Sequence, residues 1–173
     1  RQSFELYVNL RPVRLLPGVT SPLAGRRPGD VDFICVRENT EGEYAGAGGR
    51  VHRGTSYEVA LQTTVFTRTG VERVIRYAFE LCARLGRSHL TNVTKSNALQ
   101  HAPVFWDEVF DEVAAAFPAI ETDRNLVDAA AARMVRNPDT LDVLVASNLF
   151  GDILSDIGGA LMGSLGVPPS ANL

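Results

Sequence analysis

A mainly apolar run, Leu141 to Ala146, leads without a turn signal into Ser147-Asn148-Leu149-Phe150-Gly151-Asp152-Ile153-Leu154-Ser155-Asp156. The run reads as a buried strand and the segment after it as the start of a helix. A strand feeding a helix in this way points to an α/β chain, where ligand groups gather at strand ends. Asp152 and Asp156 are four residues apart, so one helical turn places both on the same face. Like charges at that spacing repel, and a cation offsets the repulsion; paired carboxylates beside an anionic ligand are a common way to hold Mg²⁺ or Mn²⁺. A solvated acidic turn favoured by the helix macrodipole accounts for the pair equally well when it is taken alone.

The rest of the chain keeps the alternation. Phe4, Leu6, Val8 and Leu10 suit a strand that ends at Arg11-Pro12, and Gly18 to Asp30 is a Pro- and Gly-rich loop. Val31 to Val36 reads as a buried strand. Tyr44 to Phe66 suits a long hairpin or arm with its turn near Arg53-Gly54. Val71, Val74, Ile75, Ala78, Phe79, Cys82 and Leu85 mark a helix with one apolar face, ended by Gly86. Then come a strand over Leu90 to Thr94, a helix over Pro103 to Phe117, a short strand over Ile120 to Thr122 and an Ala-rich helix over Leu126 to Val135. No internal repeat interrupts the series, and the chain reads as one α/β unit.

Composition narrows the function. With 173 residues, 45% of them hydrophobic and 21% charged, the chain is long enough for a real core. Its net charge of -3 argues against nucleic acid or an anionic membrane as main partner. No apolar run approaches the ~20 residues that span a bilayer. Cys35 and Cys82 lie in apolar surroundings and read as reduced core thiols, which places the protein in the cytoplasm.

Three further groups of residues bear on chemistry. Arg1, Arg11 and Arg37 carry planar guanidinium groups that clamp carboxylates, with Arg37 singled out because it follows an apolar strand. Taken singly, each is more readily a surface charge. Lys95, after the strand Leu90 to Thr94, is either a base with a lowered pKa or an exposed lysine in a capping turn. Asp128 is an acid in an otherwise apolar helical segment, where a carboxylate needs a partner. His52, His89 and His101 have no metal-ligand spacing. Gly46-Ala47-Gly48-Gly49 lacks the setting of a dinucleotide fingerprint, and Trp106 with Val104, Phe105 and Phe110 reads as a packing face.

Four motifs then carry a family resemblance. Asn9-Leu10-Arg11-Pro12-Val13, Val36-Arg37-Glu38-Asn39-Thr40-Glu41-Gly42-Glu43-Tyr44, Thr94-Lys95-Ser96-Asn97 and Ser147 to Asp156 resemble, in order and spacing, the β-decarboxylating dehydrogenases. That family comprises isocitrate, 3-isopropylmalate, tartrate and D-malate dehydrogenases. Gly48 to Gly54, Glu58 to Gln62 and Val65 to Arg68 are most similar to the tartrate and D-malate branch, and Glu41 and Glu43 depart from the isopropylmalate pattern.

The resemblance implies an isocitrate/isopropylmalate dehydrogenase-like α/β fold and the oxidative decarboxylation of a small 2-hydroxy acid with NAD and Mg²⁺ or Mn²⁺. It implies that Arg1, Arg11 and Arg37 bind substrate carboxylates, that Tyr44 protonates the enolate, and that Lys95 assists loss of the C2 hydroxyl proton. By the same resemblance Asn97 lies near the nicotinamide and Asp128, Asp152 and Asp156 hold the metal. Lys95 and Asp128 would serve the site of a second subunit, so the implied enzyme is a homodimer with shared sites. Family members are longer, so residues 1–173 are expected to be the central substrate, metal and dimerisation region, without the flanking nucleotide-binding segments and not active unaided.

Overall fold

The computed structural model describes residues 6–163 and 169–173. In chain order the elements are β1 (Val8–Arg14), β2 (Asp32–Glu38), β3 (Gly48–Val51), β4 (Val59–Gln62), α1 (Arg68–Leu85), β5 (His89–Thr94), α2 (Ala102–Ala114), β6 (Glu121–Leu126), α3 (Val127–Arg136), β7 (Val143–Ala146), α4 (Asn148–Leu161) and β8 (Ala171–Asn172). Six strands form one sheet in the order β6-β5-β7-β2-β1-β8, and β3 and β4 form a separate hairpin. The strands β6, β5, β7 and β2 are parallel, whereas β1 runs antiparallel to both β2 and β8.

The central strands are apolar on both faces because helices cover both. Every residue of β7 is buried, and its period of two sends Val143 and Val145 to one core, Leu144 and Ala146 to the other. The first core holds Val74, Phe79 and Trp106 of α1 and α2. The second holds Ala130 and Met134 of α3 and Leu154 of α4. Helix α1 starts at Thr67, whose side chain accepts from the Gly70 amide, and ends at Gly86, whose φ of 66° is the left-handed cap expected of that glycine.

This layering positions the site. The C-terminal ends of β6, β5, β7 and β2 lie along one edge, with Leu126 beside Thr94, Val93 beside Ala146, and Ala146 beside Arg37. After β5 the chain turns to the α2 face; after β7 it turns to the α4 face. Neighbouring strand ends that part in opposite directions leave a crevice between them.

Several element boundaries differ from the sequence expectations. Strand β1 does not stop at Arg11-Pro12 but continues to Arg14, with Pro12 paired opposite Ile34. Val8 exchanges both backbone hydrogen bonds with Leu173 on the outer side, so by alternation Pro12 also turns its missing N–H outward, beyond where β8 pairs, and costs the ladder nothing. Phe4, placed in that strand, lies outside the described residues. Strand β6 extends to Leu126, held by six register pairs with β5. The hairpin forms as expected, with all residues of β3 and β4 exposed. Among the described residues no helix is long and apolar enough to cross a membrane.

Candidate active site

At the end of β2, Arg37 is only 2% exposed. A buried guanidinium needs partners for its donors. Its Nε and Nη2 both donate to Oδ1 of Asn148, at 3.0 and 2.8 Å, and its Nη1 donates to Oδ1 of Asp152. The Asn148 amide is itself fixed, donating to the Glu41 carbonyl at 3.0 Å. Helix α4 approaches this closely because residue 151 is glycine: a Cβ there would stand 2.6 Å from both Cβ and Cγ of Arg37.

Tyr44 lies across the same carboxylate, and its hydroxyl donates to the second oxygen of Asp152 at 2.9 Å. The Arg37 guanidinium carbon is 5.7 Å from the centre of the Tyr44 ring, within cation–π range. The hydrogen bond to Asp152 raises the Tyr44 pKa above its ordinary value, with desolvation adding to it. Arg37, Asp152 and Tyr44 therefore form one contact cluster. Arg11 belongs to the same face, since it pairs with Cys35, two residues before Arg37, across β1 and β2. The Cys35 thiol beneath is pushed up to about 12 by burial, against the opposing pull of Arg37 and Arg11.

A second pair forms farther along the edge. Lys95, one residue past β5, donates to Oδ1 of Asp128 at 2.5 Å. Asp128 is the second residue of α3, and its side chain is 67% exposed rather than enclosed in an apolar segment. The Lys95 ammonium beside it holds its carboxyl below the usual range. Asn97 is exposed in the turn that follows.

The residues singled out in the sequence thus fall into two groups. Asp156 is exposed one turn beyond Asp152 and has no hydrogen bond or ion pair among the described residues. No group of three or more His, Cys, Asp or Glu side chains is placed to hold a metal among the described residues, so Asp128, Asp152 and Asp156 are not assembled as one ligand set within a single chain. The reason is geometric: α3 and α4 start from strands that are not neighbours, β6 and β7, and β5 with Lys95 lies between them. Arg1 lies outside the described residues. None of His52, His89 and His101 joins either group.

Sequence reasoning missed two features here. Asn148 stood in a motif, but nothing in its spacing disclosed that its partner is Arg37. The second is a narrow cleft between the ends of β5 and β7, lined by Glu43, Phe66, Thr94, Trp106, Ser147 and Phe150 among others. Ser147 is the N-cap residue of α4 yet makes no capping hydrogen bond. Its hydroxyl and Oε2 of Glu43 are buried without a partner among the described residues, while Oε1 of Glu43 accepts from Thr64 at 3.0 Å. Glu41 is structural: it accepts from the Thr67 amide at 2.8 Å and hydroxyl at 2.5 Å, bracing the start of α1.

The model of the isocitrate/isopropylmalate dehydrogenase family matches residues 1–173. D-malate dehydrogenase [decarboxylating] of Escherichia coli (strain K12) is 56% identical over 173 residues, which cover 100% of this chain and 48% of that protein. A probable tartrate dehydrogenase/decarboxylase of Bacillus subtilis (strain 168) is 55% identical, with coverage of 100% and 48%. The tartrate dehydrogenase/decarboxylase of Pseudomonas putida is 49% identical, again covering 100% and 48%. Among solved structures, isocitrate dehydrogenase from Methylococcus capsulatus superposes with a TM-score of 0.89 at 40% identity, covering 99% of this chain and 49% of that one. The chain spans about half the length of the curated relatives it matches. Its match to the family model from end to end, with its superposition on a solved isocitrate dehydrogenase, makes this chain a member of the isocitrate/isopropylmalate dehydrogenase family.

Proposed function

We propose that this chain is the substrate-binding, metal-binding and dimer-forming part of an NAD-dependent enzyme that oxidatively decarboxylates D-malate or tartrate. The observation that carries the reading is the Arg37-Asp152-Tyr44 cluster at the carboxyl edge of the sheet, in a chain whose relatives include proteins named for those two substrates. Isocitrate and 3-isopropylmalate are the runner-up substrates within the family.

The roles follow from chemistry. Arg37 and Arg11, on one face, present guanidinium groups to the substrate carboxylates, and Arg1 is assigned the same task. Fixing both ends of a small dicarboxylate aligns the bonds to be broken. Tyr44 carries a phenolic O–H beside Arg37 and Asp152 and is assigned the acid that delivers a proton to the carbon left after loss of CO₂. Lys95 is assigned the C2 hydroxyl proton. The oxygen donors of Asp152, Asp156 and Asp128 fit a hard cation such as Mg²⁺ or Mn²⁺. When bound, the metal would polarise the C2 oxygen and NAD would accept the hydride. Asn97 is assigned to the nicotinamide side.

The two separate groups favour a shared site. Lys95 and Asp128 pair with each other, away from Asp152, and a second copy of the chain would bring its own pair to this cluster. The exposed hairpin supports such a contact: Leu61 is 63% exposed, beside Val51, Tyr57 and Val59. The buried free thiols Cys35 and Cys82 suit a reducing compartment such as the cytoplasm. Taken by itself, with half the length of its relatives, the chain also fits a non-catalytic dimerisation module.

The test is an activity panel on a polypeptide in which this chain is completed to the relatives' length. NADH formation with D-malate or tartrate in the presence of Mn²⁺, exceeding that with isocitrate and 3-isopropylmalate, is expected. Absence of NADH with all four acids would sink the reading. In calorimetric titration of NAD into the isolated chain, heat of binding would rule out a purely dimer-forming module.

A further inference from the structure

We infer that Asn9 is a positioning residue for Arg11, and that Asn172 of β8 extends this role to the far end of the sheet. The inference rests on the reading that Arg11 binds a substrate carboxylate.

Asn9 and Arg11 are two residues apart in β1, so their side chains leave the same face. Asn9 is directly opposite Arg37 in the sheet register and is 1% exposed. A buried primary amide has two N–H donors and one carbonyl acceptor to satisfy. Here all are used. Nδ2 donates to Oδ1 of Asn172 at 2.7 Å and to Oγ of Ser170 at 3.3 Å. Oδ1 accepts from Nε of Arg11 at 2.7 Å. A flipped amide would set its NH₂ against the Arg11 N–H and two acceptors against each other, so the arrangement has one orientation.

Asn172 is held in turn. It is the register partner of Asn9, and its Oδ1 also accepts from Nδ2 of Asn39 at 3.3 Å, an amide that donates to the Leu6 carbonyl at 2.8 Å as well. The order of support is Asn39 and Asn172, then Asn9, then Arg11. With Nε tied down, the guanidinium plane is set and both Nη groups are left for two parallel hydrogen bonds to a carboxylate. The same solution serves the other arginine, whose Nε is accepted by Asn148. An untethered arginine would lose rotamer freedom on each binding event, and substrate affinity would fall accordingly.

The experiment is steady-state kinetics with D-malate on the polypeptide completed to the relatives' length, using Asn9→Ala, Arg11→Gln, the double variant, Asn172→Ala and Asn172→Asp. Asn9→Ala should raise KM roughly ten-fold and lower kcat by less than about three-fold, as expected for a lost tether on a binding group. Asn172→Ala should raise KM roughly three-fold, and Asn172→Asp, which keeps the acceptor, should restore it. In the Arg11→Gln background Asn9→Ala should change KM no further, because Asn9 acts through Arg11. The inference is overturned if Asn9→Ala multiplies KM equally in both backgrounds, or leaves KM unchanged while Arg11→Gln raises it. An Arg11→Gln variant with normal KM would remove the underlying reading of Arg11 and this inference with it. If Asn9→Ala does not fold, Asn172→Ala decides, and an unchanged KM there overturns it.

Discussion

Two ion pairs lie along the carboxyl edge of the sheet, and they are built on opposite principles. Arg37 and Asp152 meet where the arginine side chain is 3% exposed, over a glycine that admits it and an asparagine that holds it. Lys95 and Asp128 meet in the open, with side chains 26% and 67% exposed and no comparable scaffold. Desolvated charges are costly unless fully partnered, so the first pair is bound into the fold. Exposed pairs contribute little to stability. The second is therefore free to exchange partners, as the role proposed for it in a neighbouring subunit's site requires.

This contrast is easiest to break at Arg37. Arg37→Ala should reduce turnover by roughly 100-fold in the completed polypeptide by removing the carboxylate clamp proposed above. It should also cost about 2 kcal/mol in urea unfolding, less than a fully buried pair because Asp152 is partly exposed. Unchanged stability would show that the buried pair is not part of the fold.

Lys95→Met should abolish activity but leave the unfolding midpoint where it is. If Lys95 and Asp128 act across a dimer, co-refolding Lys95→Met with Asp152→Asn, each inactive alone, should restore activity to about a quarter of wild type, from one complete site per heterodimer on random reassociation. Persistent inactivity in confirmed heterodimers would place both residues in their own subunit's site.

A smaller effect appears at alkaline pH. The folded-state pKa of Tyr44 is raised from 10.0, so the stability its hydroxyl contributes is fully present below pH 10 and is lost as pH rises through the folded value. Ultraviolet titration should show one tyrosine ionising late, absent from Tyr44→Phe and returned towards 10.0 in Asp152→Asn. A titration curve untouched by Asp152→Asn would contradict the contact.

The smallest expected change is at Ser147. A working serine cap is worth ~1 kcal/mol, but this hydroxyl makes no capping bond, so Ser147→Ala should cost less than about 0.5 kcal/mol in thermal or urea unfolding. A full cap's worth of loss would mean that the hydroxyl has a partner in solution.

Much of this was legible from the chain itself. The spacing of Val71, Val74, Ile75, Ala78, Phe79 and Cys82, with Gly86 behind them, specifies α1, and all six are buried; Leu85, read as part of the same face, is 51% exposed at the helix end. The hairpin followed from its β-branched arms, and the α/β fold from the alternation and the motifs. Other features depend on partners far away in sequence. The strand expected over Ile120 to Thr122 runs on through Asp123, Arg124 and Asn125 to Leu126, which show no apolar alternation, because β5 pairs with it. Pro12 could be placed inside β1 only once the free outer edge was known. The tie between Arg37 and Asn148 spans 111 positions, and no local pattern encodes a contact of that range. The exposure of Asp128, too, depends on what α3 packs against rather than on its apolar neighbours in sequence.

The bond between Asn9 and Asn172 joins residues 163 positions apart. During synthesis at roughly 5–20 residues per second, Asn9 leaves the ribosome on the order of 10–30 s before its partner exists. Throughout that interval β1 can pair with β2, but the outer edge at Val8 and Leu10 stays open and the Arg11 tether has nothing to fix it. Closure of so long a loop is a late and slow event. A nascent chain therefore carries an unprotected strand edge, a template for pairing with other chains, until the segment that also sets Arg11 arrives to cover it.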